Sequence, residues 1–136
     1  MAAEYLYEQK TGKLFKLVTV GYSGHDDGDG IRESGEGKND PAEEYVANVG
    51  PLPHGWWTFG PAFTHPSKGP VVHQLIPDPA TDTHGRDHFL NHGDSIPHPG
   101  SASEGCLITP RPVREMVQDK DRLHVVNEIV EMVARS

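Results

Sequence analysis

The chain is short of cysteine, of positive charge and of long apolar runs, and each shortage excludes something. Cys106 is the only cysteine among 136 residues, so no internal disulfide framework exists. Lys and Arg number 12 against 20 Asp and Glu, for a formal net charge of −8. A nucleic-acid binder needs a basic face to displace phosphate counterions, and an anionic membrane surface makes the same demand; this balance argues against both. No stretch approaches the ~20 apolar residues of a membrane span. Met1-Ala2-Ala3-Glu4-Tyr5 lacks the basic and apolar regions of a signal peptide. The expectation is a protein made in the cytoplasm without a leader, carried elsewhere, if at all, by other means.

What is abundant is punctuation. Fifteen Gly and 12 Pro favour many turns and short elements over a helical bundle. Tyr5-Leu6-Tyr7 and Leu14-Phe15-Lys16-Leu17 flank a Gly12-containing turn and predict a hairpin, its second strand extended through Val18-Thr19-Val20. Residues 21–44 read as a long polar loop. Trp56–Phe59, Val71–Ile76 and His88–Asn91 are strand candidates, and the prolines at 51, 53, 61, 66, 70, 77 and 79 mark ends and edges. A helix is expected over about 111–118, a strand over 122–126, and helical spacing recurs at Ile129, Val130 and Val133. The reading is one mainly β domain over 1–136, with one or two short helices near the C-terminus.

The chemistry concentrates between residues 89 and 108. A strand ends in His92-Gly93, and Ser103-Glu104-Gly105-Cys106 follows shortly after. A cysteine nucleophile needs a base to take its proton, backbone N–H groups to hold an oxyanion, and an open approach. An ordinary thiol, with a pKa near ~8.5, is only roughly 3 per cent thiolate at pH 7. His92 is the candidate base, Gly105 leaves the backbone bare beside the sulfur, and Ser103 is placed to hold the imidazole in one tautomer.

These residues resemble the L,D-transpeptidase family, whose signature is His-Gly at a strand end, a loop of about a dozen residues, then Ser/Thr-His-Gly-Cys. The branch found as type VI secretion effectors, with Ser-x-Gly-Cys-Ile, is more similar still. Gly21-Tyr22-Ser23-Gly24, Gly37-Lys38-Asn39-Asp40-Pro41, Gly50-Pro51-Leu52-Pro53-His54-Gly55-Trp56-Trp57 and Gly60-Pro61 also look like that branch, so the resemblance spans roughly residues 5–126. It implies a β-sandwich or barrel with the cysteine at the mouth of a groove. It also implies cofactor-free acyl transfer on peptidoglycan stem peptides, as L,D-carboxypeptidase or L,D-transpeptidase. By match to the motif, Cys106 is the nucleophile, His92 the base and Ser103 its orienting partner, with Gly105 and Cys106 offering N–H groups to the oxyanion. Gly93, Asp94, Trp57 and Arg111 are candidate substrate contacts, with Arg114 a second candidate for a substrate carboxylate. The effector branch further implies secretion into a rival's periplasm, the secretion machinery and a cognate immunity protein. Two departures stand out. Glu104 replaces the motif's histidine, and the arginine that often follows the Cys-apolar pair is absent.

Rival readings remain at this stage. Flanked by Pro97 and Pro99, His98 lies nearer Cys106 in sequence and is a second candidate base. His84, His88 and His92 recur every four residues, as a metal site on a helix would, although Gly85 and Gly93 argue against that helix. His25-Asp26-Asp27-Gly28-Asp29-Gly30 has calcium-loop chemistry without the twelve-residue register. Of the adjacent Trp56 and Trp57, one is expected in the core and the other is free to line a groove. A catalytically silent wall-binding module of the same fold, motivated by Glu104, and a His-site metal hydrolase are the alternatives to the cysteine enzyme.

Overall fold

The structure, a computed structural model, describes residues 5–25, 37–97, 102–103 and 105–126. Its regular elements are mainly β. Strands β1 (Tyr5–Tyr7) and β2 (Leu14–Lys16) pair antiparallel with Leu6 opposite Phe15, as the hairpin reading anticipates. The second strand stops at Lys16, and Leu17, Val18 and Val20 lie exposed beyond it. A three-residue partner leaves no ladder for them to extend.

The remaining strands form one curled assembly. They are β3 (Tyr22–Ser23), β4 (Gly55–Phe59), β5 (Phe63–His65), β6 (Gly69–Pro77), β7 (Leu90–His92), β8 (Leu107–Ile108) and β9 (Arg122–Val125). Their order is β3-β8-β7-β6-β4-β9, with β5 paired to β6 off this path. Strand β6 organises the body. Its start pairs with β5, His73 and Gln74 pair with β7, and Leu75 to Pro77 pair with β4. A strand that changes partner along its length must bend between sheets, and that bend curls the assembly around one core. Pro70 and Pro77 sit inside β6 near its ends rather than outside it, where a missing N–H interrupts little of the ladder.

The core gathers Leu52, Trp57, Phe59, Leu75 and Phe89, with Leu107, Val117, Leu123 and Val125 packed against them. Trp57 is fully buried, its indole N–H donates to the Pro53 carbonyl at 3.0 Å, and its ring meets Phe89 edge-on. Burying an aromatic of this size is worth about 3–5 kcal/mol against alanine. Alternation along β4 places Trp56 outside, stacked on His124 at 4.1 Å.

Two elements carry the site. Strand β7 runs parallel to β8, with His92 opposite Ile108, so the ends of the His-Gly and Gly-Cys segments lie side by side. The expected start of β7 at His88 moves to Leu90 because His88 takes a φ of +60, which breaks an extended strand. The helix α1 (Arg111–Met116) follows β8, with Pro112 in its first turn, where a missing N–H costs nothing. The polar loop also holds a short 3-10 turn, Pro41–Glu43, capped by the Asp40 side chain. The helical pattern at 129–133, His98, Glu104 and the acidic run 26–30 fall outside the described residues.

Candidate active site

Cys106, His92, Gly93, Asp94 and Gly105 line one cavity of about 850 Å³. The parallel β7–β8 pairing brings His92 and Cys106 there from opposite sides of a long connection. Cys106 is half-buried, and its S–H points to the His88 carbonyl at 3.8 Å.

His92 is buried. Its Nδ1–H donates to the Gly93 carbonyl at 2.8 Å, which fixes the tautomer and leaves the lone pair on Nε2. Nε2 has no hydrogen-bond partner among the described residues. Burial pushes the imidazole pKa below its usual value of 6.5; the Gly93 carbonyl opposes this, and the charges of Lys68, Arg114 and His65 add to it. The resting form is therefore the neutral imidazole, able to accept a proton at Nε2.

Ser103 sits elsewhere in the network than the motif implies. Its hydroxyl donates to the Cys106 carbonyl at 2.6 Å and accepts from Gly24 N–H at 2.9 Å and Gly105 N–H at 3.1 Å. The Gly93 carbonyl, not Ser103, holds the imidazole, and Ser103 shapes the loop that carries Cys106. This also corrects the assignment of Gly105: its N–H is already bonded to Ser103 and is not an unengaged oxyanion donor. Ser23 completes the brace, its hydroxyl donating to the Gly105 carbonyl and accepting from Leu52 N–H. Tyr22 ties both halves together, donating to Asp94 at 2.6 Å and accepting from Ala102 N–H at 2.8 Å.

Trp57 and Arg111 leave the list of substrate contacts. Trp57 is core, and Arg111 lies outside the cavity, paired with Glu115 across one helical turn. Arg114 is buried instead, donating from Nε to the Val71 carbonyl and from a terminal nitrogen to the Thr109 carbonyl. Its guanidinium lies against Gly93, where an added Cβ would approach within 3.1 Å and would press on the guanidinium. The histidine series does not converge. His84 bonds Glu44, His88 is exposed beside Asp87, and His92 faces the cavity. Among the described residues no group of three or more His, Cys, Asp or Glu is arranged to hold a metal ion.

One buried residue escaped the sequence reading. Arg86 donates to the carbonyls of Glu44, Pro51 (2.9 Å) and Gly50 (3.0 Å), and its guanidinium lies against Gly105. Nothing local marks it, since its partners lie 35 to 42 residues away in sequence. The Glu44 carboxylate is itself held by His54 (2.7 Å) and His84 (2.9 Å). Burial raises its pKa, but the His54 backbone N–H, the two imidazole hydrogen bonds and the His54 charge outweigh that and leave it below its usual 4.5.

Comparison with family models, with curated proteins and with solved structures returns no match. No helix of the described residues is long and apolar enough to cross a membrane.

Proposed function

We propose that the protein is a cysteine acyltransferase acting on peptidoglycan stem peptides, as L,D-carboxypeptidase, L,D-transpeptidase or both. The observation that carries the cysteine chemistry is His92: a buried imidazole with its tautomer set by Gly93 and its Nε2 unpartnered, in the cavity that holds Cys106. The resemblance of His92-Gly93 and Ser103-x-Gly105-Cys106 to the L,D-transpeptidase motif carries the substrate class.

In this reading the Cys106 proton moves to His92 Nε2 as sulfur attacks the carbonyl carbon between the third and fourth stem residues. A C–S bond forms and the carbonyl oxygen takes the negative charge. Collapse breaks the C–N bond, and the imidazolium returns its proton to the departing D-alanine nitrogen. The thioester is then opened by water, giving the tripeptide, or by an amine, giving exchange or a cross-link; His92 removes a proton from the incoming nucleophile and returns it to the sulfur. Arg114 and Ser103 hold the two halves of the site rather than the substrate.

The test is mass spectrometry of muropeptides after incubation with the protein and with Cys106→Ala. Loss of D-alanine from tetrapeptide stems, or its replacement by an added D-amino acid, is expected only with the wild type. Unchanged muropeptides in both samples would remove the enzyme reading and favour the binding module. The effector role is an extension of the same proposal. Directed to a bacterial periplasm, the wild type is expected to cause swelling or lysis and Cys106→Ala is not; no effect from either would remove the toxin reading.

A further inference from the structure

Arg86 is a buried cation whose neighbours are arranged unusually for a strut. Its hydrogen-bond acceptors are three neutral carbonyls, of Glu44, Gly50 and Pro51; among the described residues no carboxylate forms an ion pair with it, and the Glu44 carboxylate attracts it only from beyond ion-pair distance. Glu44 offers it a backbone oxygen while committing its carboxylate to His54 and His84. A buried charge without an ion-pair partner is costly, so its retention asks for a compensating anion nearby. Three of its five N–H donors are used by those carbonyls. The terminal nitrogen bonded to Gly50 is also the atom facing Gly105, where an added Cβ would collide with it. Gly105, with a φ of +135, is thus the one residue that lets a guanidinium lie against the backbone immediately before Cys106. Arg86 and Cys106 line the same cavity and attract electrostatically when the sulfur is ionised.

The site needs such a charge. The S–H donates to the His88 carbonyl, an interaction that favours the thiol. His92 is held neutral by burial, so an imidazolium alone is a weak counter-charge for a thiolate. We propose that Arg86 is a positioning residue for the nucleophile: its guanidinium, packed against Gly105, supplies the fixed positive charge that moves the Cys106 proton onto His92. Other charges around the sulfur are Lys68 from the β5–β6 turn, Asp87 and His88 from the segment before β7, and His92 and Asp94 at its end. Lys68 acts in the same sense as Arg86, while Asp87 and Asp94 oppose it. Of these, only Arg86 lies against the residue preceding the sulfur with its charge locked by three hydrogen bonds.

The proposal rests on the nucleophile reading of Cys106, and its test reads the thiol rather than turnover. Alkylation by neutral iodoacetamide, followed by intact mass across pH, gives the thiolate midpoint of wild type, Arg86→Gln and Arg86→Lys. The wild-type midpoint is expected well below the ordinary ~8.5. Arg86→Gln, which keeps an amide for the carbonyls, is expected to raise it by about one unit, roughly a tenfold drop in thiolate at neutral pH. Arg86→Lys, which keeps the charge, is expected to stay near wild type. A low wild-type midpoint left unmoved by Arg86→Gln would overturn the proposal and leave the cysteine mechanism standing on His92. A Lys variant that rises as far as the Gln variant would overturn it too, since charge would not be the cause. A wild-type midpoint at the ordinary value would remove the nucleophile reading itself. Should Arg86→Gln fail to fold, Arg86→citrulline made by chemical ligation carries the same comparison with the shape of the side chain preserved.

Discussion

The N-terminal ribbon and the walls of the cavity use their side chains in opposite ways. In the ribbon Tyr5, Tyr7 and Leu14 are each about three-fifths or more exposed, and among the described residues β1 and β2 pack chiefly on one another. Around the cavity several buried groups are polar: His92 and Arg86 in its wall beside Phe89, with Asn91, Ser103 and Arg114 behind them. A two-stranded ribbon contributes little stability alone. Buried polar groups are expensive unless each is answered, and here almost every one is. Among the described residues His73 Nε2 and His92 Nε2 are the exceptions, and of the two only His92 lines the cavity that holds Cys106. The contrast teaches that exposed apolar area in this chain marks what the body can spare, while buried polarity marks what its chemistry needs.

The sharpest way to break that comparison is Cys106→Ala, expected to abolish turnover, a loss of roughly a thousandfold or more, with an unchanged melting temperature. Next is His92→Gln, which keeps a polar side chain of similar size but no base. Turnover in the muropeptide assay is expected to fall by about 10²–10⁴-fold. A fall under tenfold would mean that another group takes the proton. Ser103→Ala removes the acceptor of two backbone N–H groups and the donor to a third partner. Denaturant melts should show a loss of about 2–4 kcal/mol, with activity reduced through the loosened cysteine loop.

Acid should act through the same buried groups. His92 and His73 fold with imidazoles held below 6.5, chiefly by burial. The unfolded chain binds their protons more readily, so their contribution is full above pH 6.5 and is lost as pH falls below it. Glu44, held below 4.5, adds a second loss as pH falls beneath that value. Unfolding midpoints measured from pH 7.5 downward should therefore decline from about 6.5, and less steeply in His92→Gln. The smallest effect belongs to the ribbon. Leu14→Ser should change stability by within about 0.5 kcal/mol and leave muropeptide products unaltered. A large effect there would show that the ribbon is packed against something the body depends on.

Local pattern made part of this molecule legible. The Gly12 turn between apolar runs, the strands over 56–59 and 71–76, and Pro112 at a helix start depend on neighbours in sequence, and they lie where the pattern placed them. Cys106 and His92 share a cavity through a parallel β7–β8 pairing that the sequence reading did not anticipate. Alternation said that Trp56 and Trp57 face opposite ways without saying which faces the core; Trp57 is the inner one, packed with Leu52, Phe59, Leu75 and Phe89. Ser103 and Arg86 were out of reach for another reason. The 44–51 carbonyls that hold Arg86, and the Gly24 N–H that joins Gly105 and Cys106 on Ser103, are distant in sequence, and no local period encodes a hydrogen bond across such separations.

The proposed chemistry turns on a covalent step at Cys106 driven by His92. Intact-mass measurement after brief incubation with a tetrapeptide stem, quenched in acid, tests it most directly. A hydroxylamine-labile adduct with the mass of the tripeptide acyl group, localised to Cys106, slowed in His92→Gln and absent from Cys106→Ala, is the predicted result. Muropeptides that change with no adduct at any time, and equally in Cys106→Ala, would contradict it.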